Sequence, residues 1–134
     1  MAEDNDIMGG LRILIIDDDK HVSLTIRKII ESEGYLVNVA HDGHEALEAM
    51  DQSLPDLIIL DMRLPSMDGQ SLMGMLRSRF GENLPPIIVV SGSTSREDQA
   101  RALRAGADAF VAKPFRLRQL LHAIETVLQM PASV

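Results

Sequence analysis

The chain has 134 residues, of which 46% are hydrophobic and 25% charged, and it contains no cysteine. This size and balance predict one globular domain with a core of ordinary size and no disulfide framework. The 20 acidic and 13 basic residues give a formal net charge of -7, which argues against direct nucleic-acid binding and against an anionic membrane surface as a partner. No apolar run reaches spanning length and the acidic N-terminus is unlike a signal peptide, so we expect a cytoplasmic protein.

Short apolar runs and segments of helical periodicity alternate five times along the chain. In chain order, strands are predicted at residues 11–16, 35–40, 57–60, 86–90 and 109–112. Helices are predicted after them at residues 19–33, 42–51, 70–79, 95–105 and 117–129. Residues 1–10 are expected to be a flexible lead-in, 11–130 the folded domain and 131–134 a short tail.

The alternation of strands with helices predicts a parallel sheet with helices on both faces. The first, third and fourth strands ("ILII", "LIIL" and "IIVV") are apolar on both faces and belong in the middle of the sheet. The second strand, with Tyr35 and Asn38, and the short fifth strand belong at its edges. The expected fold is therefore α/β: a five-stranded parallel sheet in the order 2-1-3-4-5, of the flavodoxin-like doubly wound (βα)5 type.

Chemically active residues follow four of the five strands. In chain order they are Asp17, Asp18 and Asp19, then Asp61, Ser91 and Lys113. In such a sheet, ligands bind beyond the carboxyl ends of the strands, where the strand order reverses. Clustered carboxylates repel, and one lysine leaves the group net negative, so a hard divalent cation such as Mg²⁺ would complete the charge balance. The sequence has no cysteine and its four histidines are expected to be solvated surface residues, which disfavours zinc.

A carboxylate beside Mg²⁺ and a lysine is a nucleophile suited to phosphoryl groups, and it would form an aspartyl phosphate. The Ser91 hydroxyl can donate to another oxygen of that group. The sequence offers no evident base or water-positioning Gln or Glu. It therefore favours a slow, stoichiometric phosphate acceptor over a fast phosphatase or kinase, and the protein is not expected to be a turnover enzyme.

The motifs together resemble the response-regulator receiver domain of two-component signalling. They are "DD" after the first strand, "LDMRLPSMDG", "SG" after the fourth strand and "KPF" after the fifth. The resemblance implies that Asp61 is the phosphoacceptor and that Asp18, Asp61 and the backbone carbonyl of Arg63 bind Mg²⁺ directly. It implies that Asp17 acts mainly through a water on the ion, and that Ser91 and Lys113 bind phosphoryl oxygens.

Further expectations follow from the resemblance. The Lys113–Pro114 bond would be cis, Asp19 would lie outside the metal's ligand set, and Pro65 and Gly69 would shape the loop after Asp61. Asp68 is expected to stabilise the turn through its side chain rather than to bind a ligand. Ser91 and Phe110 would form the switch, although tyrosine is frequent in the family at the second position. Arg63 and Ser93 flank the path of an attacking water, which affects the phosphate lifetime.

The implied partners are a sensor histidine kinase or a phosphotransfer protein, or a small phosphodonor. The surface of the last two helices and the fifth strand, with its arginines, would meet an output protein or a second copy. One alternative is a pseudo-receiver that acts only through protein contacts, and a more distant one is an aspartate-nucleophile phosphatase. An aspartate-nucleophile phosphatase needs an acid/base Asp two residues beyond its nucleophile. This chain has Arg63 at that position. Both a single-domain regulator and a part of a longer protein are compatible with the sequence.

Overall fold

The computed structural model describes residues 10–64, 67–92 and 95–129, and in these ranges strands and helices alternate. The strands are β1 (Arg12–Ile16), β2 (Leu36–Ala40), β3 (Leu57–Asp61), β4 (Ile87–Ser91) and β5 (Ala109–Ala112). The helices are α1 (Lys20–Ser32), α2 (Gly43–Gln52), α3 (Gly69–Phe80), α4 (Arg96–Arg104) and α5 (Leu117–Gln129), with a 3-10 turn at Gly81–Asn83. None of these helices has the length and apolar character needed to cross a bilayer. The predicted tail and all but the last residue of the lead-in lie outside the described ranges.

All five strands are parallel, in the order β2-β1-β3-β4-β5, which confirms the predicted topology. Ile16 lies opposite Leu60, and Asp61 lies opposite Val90. Ser91 lies opposite Ala112. Because parallel strands in this register end close to one level, the residues at their carboxyl ends share one edge of the sheet.

The core has two layers, one on each face of the sheet. Alternate residues of each strand point to opposite faces, so Leu60 packs with α2, α3 and α4, while Ile59 packs with α1 and α5. The central strands β1, β3 and β4 contribute to both layers, as their apolar sequences predicted. The helices thus hold the central strands rigidly between them, and the polar strand ends are positioned by that packing.

Three helices, α1, α2 and α4, start one residue later than predicted, for a physical reason. Asp19 and Asp42 were expected inside helices, but they are N-caps with extended backbone. Each carboxylate accepts hydrogen bonds from N–H groups of the first turn that have no intrahelical partner. Ser95 caps α4 in the same way. At the carboxyl ends, Gly34 (φ 101°) and Gly106 (φ 118°) adopt the left-handed backbone expected of residues that end helices.

Candidate functional site at the carboxyl edge of the sheet

Asp61 is the last residue of β3 and only 8% exposed. The sequence prediction ended this strand at Leu60, but Asp61 continues the pairing to β4. Its Oδ1 accepts a hydrogen bond from the backbone N–H of Arg63 at 2.9 Å, and its Oδ2 accepts one from Nζ of Lys113 at 3.1 Å. The strand and these two bonds fix the orientation of the carboxylate at the mouth of the sheet.

Two further carboxylates join Asp61. One oxygen from each of Asp17, Asp18 and Asp61 lies within 4.8 Å of the others. Asp17 is 3% exposed, whereas Asp18 is exposed. Burial raises the pKa of Asp17 to about 6, and the negative charge of Asp61 adds to the rise, while the N–H of Asp19 and the charge of Lys113 oppose it. The group of three carboxylates therefore has too little positive charge nearby to balance its negative charge.

This donor set fits Mg²⁺. The three acids offer only oxygen ligands, which that ion prefers, and one of them is exposed enough for the ion to keep several waters. Lys113 contributes a single charge, 3.1 Å from Asp61 and 4.0 Å from Asp17. A divalent cation would balance the remaining negative charge. The structure thus brings together the predicted acids and lysine, while the ligand role of the Arg63 carbonyl stays a prediction.

Asp19 lies at the same edge of the sheet, but its side chain caps a helix. Its N–H donates to Oδ1 of Asp17 at 2.8 Å, and its own carboxylate caps α1. The side chain is therefore engaged with the first turn of the helix. This agrees with its expected place outside the ligand set.

Ser91 and Phe110 lie on the β4–β5 side of Asp61. Ser91 ends β4 and is 8% exposed, and its carbonyl accepts from the N–H of Lys113 at 2.7 Å. Phe110 is partly buried and packs on the layer that includes Ala102 of α4. Its neighbour Val111 packs on the opposite layer, so Phe110 faces the α4 side of the sheet, as its sequence parity predicted. The Lys113–Pro114 bond is cis, as expected.

A cavity of about 280 Å³ separates these side chains from α4. Its lining includes Met62, Arg63, Asp68, Gln70, Ser91, Asp98, Arg101 and Phe110. The sequence reading placed Arg101 on a basic outer surface. Arg101 is exposed, as expected, and it also lines the cavity, where it pairs at 3.5 Å with both Glu97 and Asp98. In the sequence, these ion pairs were indicated by the i, i+3 and i, i+4 spacing of the charges.

The start of α3 lies against the residue that follows Asp61. The N–H of Gly69 donates to the carbonyl of Met62 at 3.0 Å, and a Cβ on Gly69 would lie 2.9 Å from the Cα of Met62. Only glycine fits at that approach. Asp68 caps α3 through the N–H of Ser71, which agrees with its reading as turn chemistry. Pro65 and Ser93 lie outside the described residues.

Comparison with known proteins finds response regulators among the relatives of this chain. The chain is 40% identical over 120 residues to the response regulator MprA of Mycobacterium ulcerans, covering 90% of this chain and 51% of that protein. It is 40% identical over 119 residues to MprA of Mycobacterium leprae, covering 89% and 51%. The chain thus spans about half the length of the curated relatives that it matches.

Solved structures show the same fold. A CheY-like receiver domain protein from Methanospirillum hungatei is 34% identical with a TM-score of 0.82, over 91% of this chain and 96% of that one. The Francisella response regulator 1452 receiver domain is 30% identical with a TM-score of 0.83, over 90% and 98%. The family model of the response regulator receiver domain matches residues 13–125. The chain belongs to the response regulator receiver domain family.

Proposed function

We propose that this receiver domain accepts a phosphoryl group on Asp61 and thereby switches the surface formed by α4, β5 and α5. One observation carries the proposal: the buried Asp61 carboxylate lies at a strand end, grouped with Asp17 and Asp18 and bonded to Lys113. Such a constellation is arranged to offer a fixed nucleophile and to neutralise the charge of a transferring phosphoryl group.

In the proposed reaction an oxygen of Asp61 attacks phosphorus and forms a P–O bond. The bond to the leaving group breaks in line with it: P–N for a phosphohistidine, whose imidazole leaves, or P–O for acetyl phosphate, whose acetate leaves. The Lys113 ammonium moves from the carboxylate to share the phosphoryl oxygens, and the Ser91 hydroxyl donates to another of them. These residues position and neutralise without exchanging protons with the donor.

The residues that would hold Mg²⁺ are Asp17, Asp18 and Asp61, with the carbonyl of Arg63. When bound, the ion would supply positive charge to the transferring group. We expect loss of phosphate to be slow, because the sequence offers no evident base for an attacking water. We therefore expect self-phosphorylation and slow autodephosphorylation at Asp61 to be the only reactions of this domain.

The proposed phosphodonor is a sensor histidine kinase or a phosphotransfer protein, with small phosphodonors able to replace it in vitro. The proposed recipient of the signal is an output protein or a second copy of this chain at the α4–β5–α5 surface. Direct nucleic-acid binding by this domain is disfavoured by the net charge of -7. The expected location is the cytoplasm.

Intact mass spectrometry after incubation with acetyl phosphate and Mg²⁺ tests the proposal. We expect the mass of one phosphoryl group to be added to the natural protein and none to Asp61→Asn. Asp42→Asn is the matched control, because Asp42 caps α2, is not one of the acids grouped with Asp61, and asparagine caps equally well. It should label normally.

Undiminished labelling of Asp61→Asn would show that the phosphoryl group goes elsewhere. No labelling of the natural protein by any phosphodonor would favour the alternative, a pseudo-receiver that acts only through protein contacts. The complete set of acids, serine and lysine at the strand ends argues against that alternative.

A further inference from the structure

The helix α4 is attached to the domain more weakly than its neighbour α3. In α4, which is described in full, Ala102 is the one buried residue. By contrast α3 buries Gly69, Leu72, Met73 and Leu76. Little apolar area therefore resists a movement of α4, and polar contacts at its two ends have a large share in setting its position.

The two ends of α4 meet different parts of the molecule. Asp98 in its first turn and Arg101 further along line the cavity of about 280 Å³, together with Ser91 and Phe110. Its last turn lies near the opposite edge of the sheet, where the chain turns at Gly106 and the N–H of Asp108 donates to the carbonyl of Ile87 at 2.7 Å. A shift of α4 would therefore change the cavity wall at one end and strain this turn at the other.

One side chain from α3 holds the last turn of α4. Nη2 of Arg77 donates to the carbonyl of Ala105, the C-cap of α4, at 2.8 Å. Its guanidinium lies directly over Gly106, since a Cβ on that glycine would lie 1.4 Å from Nη2. Among the described residues Arg77 forms no ion pair with a carboxylate. The guanidinium is thus committed to the negative end of the α4 dipole.

We propose that Arg77 is a positioning residue: its contact with the Ala105 carbonyl, the Arg77 latch, holds α4 in its resting position and so restrains the wall of the cavity lined by Ser91 and Phe110. Removing the latch frees the carboxyl end of α4. Because the same helix forms the cavity wall, the acceptor site then reaches its phosphorylated arrangement more readily. This second step rests on the proposed function, whereas the first does not.

Arg79 provides a matched control on the same helix. It lies in the same last turn of α3 and is also exposed, but it pairs with Asp51 of α2 rather than with α4. Arg77→Gln and Arg79→Gln each remove one positive charge and one interhelical contact. Only the first removes a contact to α4. Arg77→Lys keeps a cation and a donor of similar reach and should restore part of the contact.

Amide hydrogen exchange of the unmodified protein tests the latch itself. We expect amides of α4 to exchange about fivefold faster in Arg77→Gln, with partial recovery in Arg77→Lys and no change in α4 for Arg79→Gln. Equal α4 exchange in Arg77→Gln and the natural protein would overturn the latch. Equal acceleration in both glutamine variants would also overturn it, because loss of surface charge would then be the cause.

The rate of labelling by acetyl phosphate tests the coupling. We expect Arg77→Gln to label at least about twofold faster than Arg79→Gln, because the latch stabilises only the resting arrangement. A merely structural contact would alter exchange and leave this rate unchanged, and that result would overturn the regulatory role. If the natural protein takes no label at all, the proposed function fails, and the exchange experiment alone decides whether the latch exists.

Discussion

The two halves of the carboxyl edge of the sheet are built differently. On the β1–β3 side, Asp17 and Asp61 are buried, and both are held by backbone N–H groups and by Lys113. On the β4–β5 side, a partly buried Phe110 faces a cavity of about 280 Å³ and a helix with one buried residue. The first half has fixed charges, which phosphoryl transfer needs. The second has room to rearrange, which a signal needs.

Lys113 connects the two halves, and its removal should have the largest effect. It follows β5 yet pairs with Asp61 of β3 and lies near Asp17. Lys113→Met should slow labelling of Asp61 by acetyl phosphate and Mg²⁺ by about a hundredfold, since a preorganised charge on the transferring group is lost. Time-resolved intact mass measures it. Lys28→Met, an exposed change on α1, is the control, and equal rates in the two variants would contradict the role of Lys113.

Phe110 tests whether the β4–β5 half transmits the signal. Phe110→Ala should lower the free energy of unfolding by about 2 kcal/mol, less than a fully buried phenylalanine would. Labelling of Asp61 should stay within about twofold of normal, while phosphate-dependent association with a partner or second copy is lost. Urea denaturation, mass spectrometry and sedimentation measure these three quantities.

Phe115→Ala is the matched control for Phe110, because Phe115 is also partly buried but packs on the α1–α5 layer. It should lose similar stability and keep the association. If Phe110→Ala retains the full phosphate-dependent gain in association, the output does not pass through this residue.

Asp19 sharpens the description of the β1–β3 half and has the smallest effect. Asp19→Ala should lower the free energy of unfolding by about 1 kcal/mol, because two N–H groups of α1 lose their acceptor, whereas Asp19→Asn should stay close to the natural protein. Urea denaturation measures this. Mg²⁺ affinity by calorimetry should be unchanged in both variants. A large loss of Mg²⁺ affinity in Asp19→Asn would instead show that Asp19 is a ligand of the ion.

Much of this protein was determined by the sequence alone. The two-sided apolar character of β1, β3 and β4 required a buried, central position, and alternation with helices required parallel pairing. Those two constraints set the strand order and bring the strand ends to one edge. The meeting of Asp61 with Asp17, Asp18 and Lys113 follows from them. Such features are predictable because they depend on hydrophobic period and chain direction, which are local properties.

Only the tertiary structure decided which charged side chains are buried and which neighbours each of them contacts. Asp17 is buried and Asp18 exposed, although they are adjacent in the sequence. Arg101 lines the cavity beside Ser91 and Phe110, and Arg77 reaches across 28 positions to the carbonyl of Ala105. Long polar side chains have many rotamers of similar energy, and the one adopted depends on which neighbours the packed helices bring near. No local pattern records those neighbours, because they are created by packing between distant segments.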